Sequence, residues 1–161
     1  MYKIAVVKGD GIGPEVVDEG LKVLKAVSQL DGFQYELKEF PYNTEHYLSR
    51  KELPPESFFE ELKKVDSIYL GAIGDPRVEP GLVERAIIAG IRFKLDLYIN
   101  LRPIKLHAEH LCPLKDKKPA DIDFIVVREN TEDLYTGLGG IFKKGTPDEI
   151  AIQEMIFTRK G

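Results

Sequence analysis

The sequence predicts an α/β chain built on a mainly parallel, helix-covered sheet. Three observations carry this: short β-branched runs alternate with helically spaced apolar segments over the first hundred residues, glycine clusters follow the runs, and 43% of the 161 residues are hydrophobic. That apolar content supports a buried interior and excludes a wholly disordered chain, and crossovers between parallel strands are almost always right-handed.

The elements follow in order. Tyr2-Lys3-Ile4-Ala5-Val6-Val7-Lys8 reads as a strand running into glycines. Val17, Leu21, Leu24 and Val27 then recur at helical spacing, with Pro14 suited to the first helical position and Asp31-Gly32 as the stop, so a helix is expected over 14–30. Phe33, Tyr35 and Leu37 alternate with polar residues as a second strand. A short helix opened by prolines is expected over 55–65, a strand over 67–71, a helix over 82–93 and a strand over 97–101. The periodicity lapses after Pro103, where 107–120 reads as a linker or exposed crossover. Another strand is expected over 123–128, and weak alternation returns over 150–159. The expected division is 1–103 for a first domain and 104–161 for the start of a second α/β domain.

Charge and length exclude several partners. With 23 Lys+Arg against 27 Asp+Glu the net charge is −4, and without a long basic block there is no footprint for nucleic acid or an anionic membrane. The Lys115 to Lys118 cluster reads as solvated surface. The apolar runs 4–7 and 86–91 fall short of the about 20 residues of a membrane span, and the opening residues read as a strand rather than a signal peptide, so a soluble, cytoplasmic protein is expected. Cys112, the single cysteine, has no disulfide partner in the chain.

The loop Gly9-Asp10-Gly11-Ile12-Gly13-Pro14-Glu15 joins a strand to a helix N-terminus, a place where glycines permit tight turning and anions are favoured. Taken alone, these glycines serve equally to turn the chain or to meet a ligand. The Rossmann fingerprint Gly-x-Gly-x-x-Gly fails, because counting from Gly9 puts Pro14 at its last glycine, so a non-Rossmann nucleotide site is expected. Arg92 ends a helical stretch, while Arg102 and Arg128 follow strands. A single arginine more often makes a surface ion pair, but three at such positions suit a substrate with several carboxylates, each gripped by a planar fork. Tyr135, a little beyond Arg128, can donate a proton to an enol if the chain folds it back.

Four blocks occur in order: the first glycine loop, Gly71-Ala72-Ile73-Gly74-Asp75-Pro76, Ile91-Arg92-Phe93-Lys94-Leu95-Asp96-Leu97-Tyr98-Ile99-Asn100-Leu101-Arg102-Pro103, and Arg128-Glu129-Asn130-Thr131-Glu132-Asp133-Leu134-Tyr135. Together they resemble the isocitrate/isopropylmalate dehydrogenase family, the β-decarboxylating dehydrogenases, which oxidise a 2-hydroxy acid with NAD or NADP and then release carbon dioxide. The resemblance implies that Arg92, Arg102 and Arg128 grip substrate carboxylates and that Tyr135 is the catalytic acid. It implies a cofactor contact at Gly11, Ile12, Gly13, Ile73 and Gly74, and a homodimer formed through a β-type arm over 145–160.

Isocitrate readers of the family carry Ser six and Asn four residues before the first arginine, and here those positions are Ala86 and Ile88. Ile88 favours an alkyl group over a third carboxylate, which points to isopropylmalate and leucine biosynthesis. Isocitrate, homoisocitrate and tartrate are the alternatives. The glutamate expected seven residues before the arginine is Arg85, with Glu84 beside it, which leaves a local shift or a different substrate open. Family members are more than twice this length, and the resemblance puts their lysine acid/base group, the Mg²⁺ or Mn²⁺ ligands and the adenine loop in the other half. No metal ligand is therefore assigned here, and the 161-residue chain alone is expected to be inactive. A rival reading is a non-catalytic module that binds a carboxylate or nucleotide.

Overall fold

The computed structural model describes residues 1–161 and divides them into two compact units, Met1–Leu95 and Asp96–Gly161. The mixed α/β character is present, with the parallel sheet confined to the first unit. There β1 (Tyr2–Val7) lies between β2 (Tyr35–Glu39) and β3 (Ser67–Leu70), parallel to both, with Ile4 opposite Leu37 and Ser67.

Each face of this sheet is served by helices. α1 (Gly13–Asp31) carries a proline in its first turn and ends on Gly32 in the left-handed conformation, as the sequence predicts. It packs so closely that a Cβ on Gly20 would collide with the Tyr69 hydroxyl unless that ring shifted. Ala5 and Val7 point to the other face, where α3 (Glu56–Leu62) supplies Phe58, Phe59 and Leu62. Val83, Ile87 and Ile91 complete this core, and edge-to-face contacts link Phe58 to Phe40, Tyr42 and Phe59.

Three local differences from the sequence reading have physical causes. α2 (Thr44–Arg50) was not anticipated; its seven residues are too short to show a period, and the signal is Asn43, whose side chain caps the helix by accepting from the His46 N–H at 2.8 Å. β2 starts at Tyr35 because Phe33 is used before the strand, edge-to-face with Tyr2. The helix expected over 82–93 is α4 (Leu82–Glu84), a π-helical turn (Arg85–Ala89) and α5 (Gly90–Lys94) in unbroken succession.

In the second unit the strand expected over 97–101 is β4 (Ile99–Lys105), and it leaves the parallel order to pair antiparallel with β5 (Asp123–Glu129). Pro103 lies inside β4, and the two compact units part after Leu95. Proline lacks a ladder donor and suits a strand with a free edge, while Asp96 at φ 52° turns the chain just before β4. The connection over 107–120 contains only short 3₁₀ turns, among them Glu109–Leu111. β6 (Gly139–Phe142) and β7 (Ile150–Gln153) form a separate antiparallel hairpin. Within the stretch 145–160, then, regular strand is limited to β7, and its partner within the chain begins upstream at Gly139.

Candidate functional site

In the first unit the chemistry collects in the loops at the carboxyl ends of the parallel strands, where open α/β sheets bind ligands. Asp10, missed as a functional position by the sequence reading, is their hub. Its buried carboxylate accepts from the Thr44 N–H at 2.7 Å, the Thr44 hydroxyl at 2.9 Å and the Gly74 N–H at 3.0 Å, and its own N–H donates to the Ala72 carbonyl at 2.6 Å. The loops after β1, β2 and β3 are therefore held together by one side chain. Glycine is required at Gly9, where φ is 80° and a Cβ would collide with the Ala72 carbonyl. Gly11, at φ 55°, faces open space, and Ile12 is exposed at an N-terminus of α1 that no side chain caps. Gly11 and Ile12 are thus accessible at a helix N-terminus, whereas Gly13 is buried against the Lys8 and Ala72 carbonyls with its N–H donating to the Asp10 carbonyl at 2.8 Å, and Gly74 is bonded to the same hub.

The π-helical turn places the helix residues. A π turn inserts one residue, and here Glu84 and Arg85 fall on either side of its start. A methyl group on Gly74 would stand 3.1 Å from Glu84 Oε1, and Glu84 Oε2 is buried without a hydrogen-bond partner. Arg85 is exposed instead, its Nε donating to the Gly81 carbonyl at 3.0 Å. The sequence held the signal only as an offset of one residue. Ile88, half-buried, lies in the same turn, and Arg92, also half-buried, is in the last turn of α5.

In the second unit Asn100 stands opposite Arg128 and Arg102 opposite Val126. Directly opposed residues share a face, so Arg102 and Arg128 are diagonal neighbours on one face of the β4–β5 ribbon, a spacing of about 7–8 Å. Asn100 lies between them and accepts from Arg102 Nε at 2.9 Å. Arg128 Nη2 donates to the Tyr135 hydroxyl, and its guanidinium stacks over the Tyr135 ring at 4.8 Å. Tyr135 does fold back onto Arg128. The partners of these two guanidiniums are an amide and a phenol rather than carboxylates, so their positive charge is not neutralised locally.

The loop between Arg128 and Tyr135 is strongly bonded. Asn130 is buried, its backbone N–H donating to the Tyr98 carbonyl at 2.9 Å and its side chain to the Leu97 carbonyl at 3.2 Å. Desolvation acts to raise the pKa of Glu129. The Thr131 hydroxyl and the backbone N–H groups of Glu132, Thr131 and Asn130 outweigh it and bring the carboxyl down to about 2. Across all 161 residues, no group of three or more His, Cys, Asp or Glu is placed to hold a metal ion. No helix is long and apolar enough to cross a membrane.

Comparison with known proteins gives the fold and the family. In fold, the chain matches the crystal structure of isocitrate dehydrogenase from Methylococcus capsulatus with a TM-score of 0.76 at 28% identity, covering 99% of this chain and 44% of that one. The family model for isocitrate/isopropylmalate dehydrogenase matches residues 3–161, and the chain belongs to that family. It is 46% identical over 159 residues to 3-isopropylmalate dehydrogenase of Thermobifida fusca, and 42% identical over 161 residues to D-malate dehydrogenase [decarboxylating] of Escherichia coli. Each alignment takes in 99% of this chain and 45% of the relative, so the chain spans a little under half the length of these curated proteins.

Proposed function

We propose that this chain is the amino-terminal part of an NAD(P)-dependent oxidative decarboxylase of a 2-hydroxy acid, with isopropylmalate as its substrate. The observation that carries the reading is the Arg128–Tyr135 pair beside Arg102 on one face of the ribbon. In this reading Arg92, Arg102 and Arg128 bind the substrate carboxylates through charge-assisted hydrogen bonds. The Tyr135 oxygen accepts from Arg128, and in this reading the Tyr135 hydroxyl donates a proton to the enol carbon left by decarboxylation. Ile88 meets the alkyl group of the substrate, where a carboxylate would lose its hydration without a partner.

In this reading the loop at the N-terminus of α1, open at Gly11 and Ile12 and closed behind by the buried Gly13, takes a dinucleotide, with Gly11, Ile12, Gly13, Ile73 and Gly74 on the cofactor side of a non-Rossmann site. A nicotinamide held there would supply the acceptor for hydride from the hydroxyl-bearing carbon of the substrate. The residues present do not fit a Mg²⁺ or Mn²⁺ site, so the metal of this reading takes its ligands from outside them. The exposed hairpin β6–β7, whose second strand lies in the 145–160 arm, has free edges suited to pairing with a second copy, giving a homodimer.

Calorimetry tests the reading on the 161-residue chain, titrated in turn with isopropylmalate, D-malate and isocitrate. Isopropylmalate is expected to bind most tightly, and Arg128→Ala to weaken it by about ten- to a hundredfold, the worth of a charge-assisted pair. No metal-dependent formation of reduced nicotinamide is expected. Equal binding of isocitrate would contradict the substrate choice, and turnover would contradict the assignment of the metal ligands.

A further inference from the structure

β5 ends at Glu129, and within the next six residues the chain must reverse to bring Tyr135 against Arg128. Glu129 makes that reversal. Its Oε1 accepts from both the N–H and the hydroxyl of Thr131 at 2.7 Å, and its Oε2 accepts from the Glu132 N–H at 2.7 Å. Glu129 and Arg128 are successive strand residues and point to opposite faces, so the carboxylate serves the loop and leaves the guanidinium to Tyr135. Past this tie the chain passes through Asp133 at φ 61° and ψ −136°, a conformation costly for a residue with a side chain. The Asp133 N–H donates to the Ile156 carbonyl at 2.9 Å, and a 3₁₀ turn, Leu134–Thr136, then presents Tyr135.

The other acidic side chain of the loop faces elsewhere. Glu132 accepts from the Thr158 N–H at 2.7 Å and from the Thr158 hydroxyl, tying the loop to the segment that returns from β7. The two glutamates thus divide the work: Glu129 shapes the turn from within, and Glu132 holds its outer side.

We propose that Glu129 is the positioning residue for Tyr135, its carboxylate fixing the turn that returns the phenol to Arg128. The proposal rests on the reading of Tyr135 as proton donor only for its functional meaning, since the contact itself is observable without turnover. Glutamine has the same shape but sets an NH₂ donor against one of the three donors of the loop. Aspartate keeps both acceptor oxygens on a shorter stem.

The test is nuclear magnetic resonance on the 161-residue chain. It reads the cross-peak between the Arg128 side-chain Nε–H and the Tyr135 ring, assigned with Arg128→Lys and Tyr135→Phe. Glu129→Gln and Glu129→Ala are expected to reduce the cross-peak several-fold while the β4–β5 amide signals stay in place, and Glu129→Asp to restore part of it. Glu132→Gln is expected to release Thr158 and leave the cross-peak. Should the alanine variant lose the ribbon, the isosteric glutamine variant carries the test. An undiminished cross-peak in Glu129→Gln would overturn the proposal, as would an equal loss in Glu132→Gln, which would make general stiffness of the loop the cause. If the cross-peak depends on Glu129 but the chain binds no dicarboxylate, the functional reading falls and the positioning role stands.

Discussion

In Met1–Leu95 the apolar side chains of β1, α3 and the helical stretch 82–94 face one another, and Ala5, Val6, Val7 and Ile87 are withdrawn completely from solvent. In Asp96–Gly161 the strands are no less apolar, yet Leu106 is the sole buried hydrophobic residue, while Leu101, Ile125, Val127, Phe142 and Ile152 are each at least half exposed. The first unit is held by a core. The second is held by strand ladders and by a loop whose polar groups satisfy one another, with Glu129, Asn130 and Glu132 at its centre. Apolar faces left open on paired strands mark surfaces suited to further association. Composition and periodicity foretell a strand; they do not foretell what covers it.

Core truncation gives the largest expected contrast. Phe58→Ala, in a ring cluster, should cost about 3–5 kcal/mol, whereas Ile125→Ala on the open ribbon should stay within about 0.5 kcal/mol, both read by urea unfolding. A comparable cost at Ile125 would mean that the second unit has a core of its own.

Glycine substitution sharpens the comparison at smaller scale. Gly9→Ala forces a side chain into a left-handed conformation and against the Ala72 carbonyl, and should cost about 1–3 kcal/mol and abolish the proposed dinucleotide binding, followed by reduced-nicotinamide fluorescence. Gly140→Ala in the hairpin meets nothing within 4 Å and should leave both unchanged. Asp10→Asn turns an amide donor toward donors already bonded to a buried carboxylate and should cost about 1–3 kcal/mol in the same unfolding experiment.

Acid gives the smallest effect. The Glu129 carboxyl is depressed to about 2 in the fold, so its contribution is fully present above the ordinary carboxylate pKa, is lost as pH falls from there through about 2, and is absent below. Hydrogen exchange should therefore find the Thr131 and Glu132 amides still protected at pH 4, with protection collapsing near pH 2. Glu129→Gln should remove that pH dependence.

How much of this was legible in sequence depended on how local each signal is. α1 was readable end to end because its period, its proline and its Gly32 stop are all contiguous. β4 and β5 were both found but their antiparallel pairing was not, because pairing direction is a long-range property and the local clues, Asp96 and Pro103, say only that the chain turns and that the strand keeps a free edge. Arg102, Arg128 and Tyr135 were named from motif blocks, and the structure joins Tyr135 to Arg128 and puts Arg102 on the same face. Glu84 was legible only as an offset of one residue, and Asp10 and Glu129 escaped notice as functional positions because each acts through backbone groups that only the fold brings near.

The most direct test of the account is to titrate isotope-labelled chain with isopropylmalate while following the guanidinium resonances of Arg92, Arg102 and Arg128 and the ring of Tyr135. The account predicts saturable shifts at these four residues, lost for Tyr135 and Arg102 when Arg128→Ala removes the guanidinium that stacks on the phenol. Saturation with none of the four responding, or shifts confined to surface lysines such as Lys115 and Lys117, would contradict it.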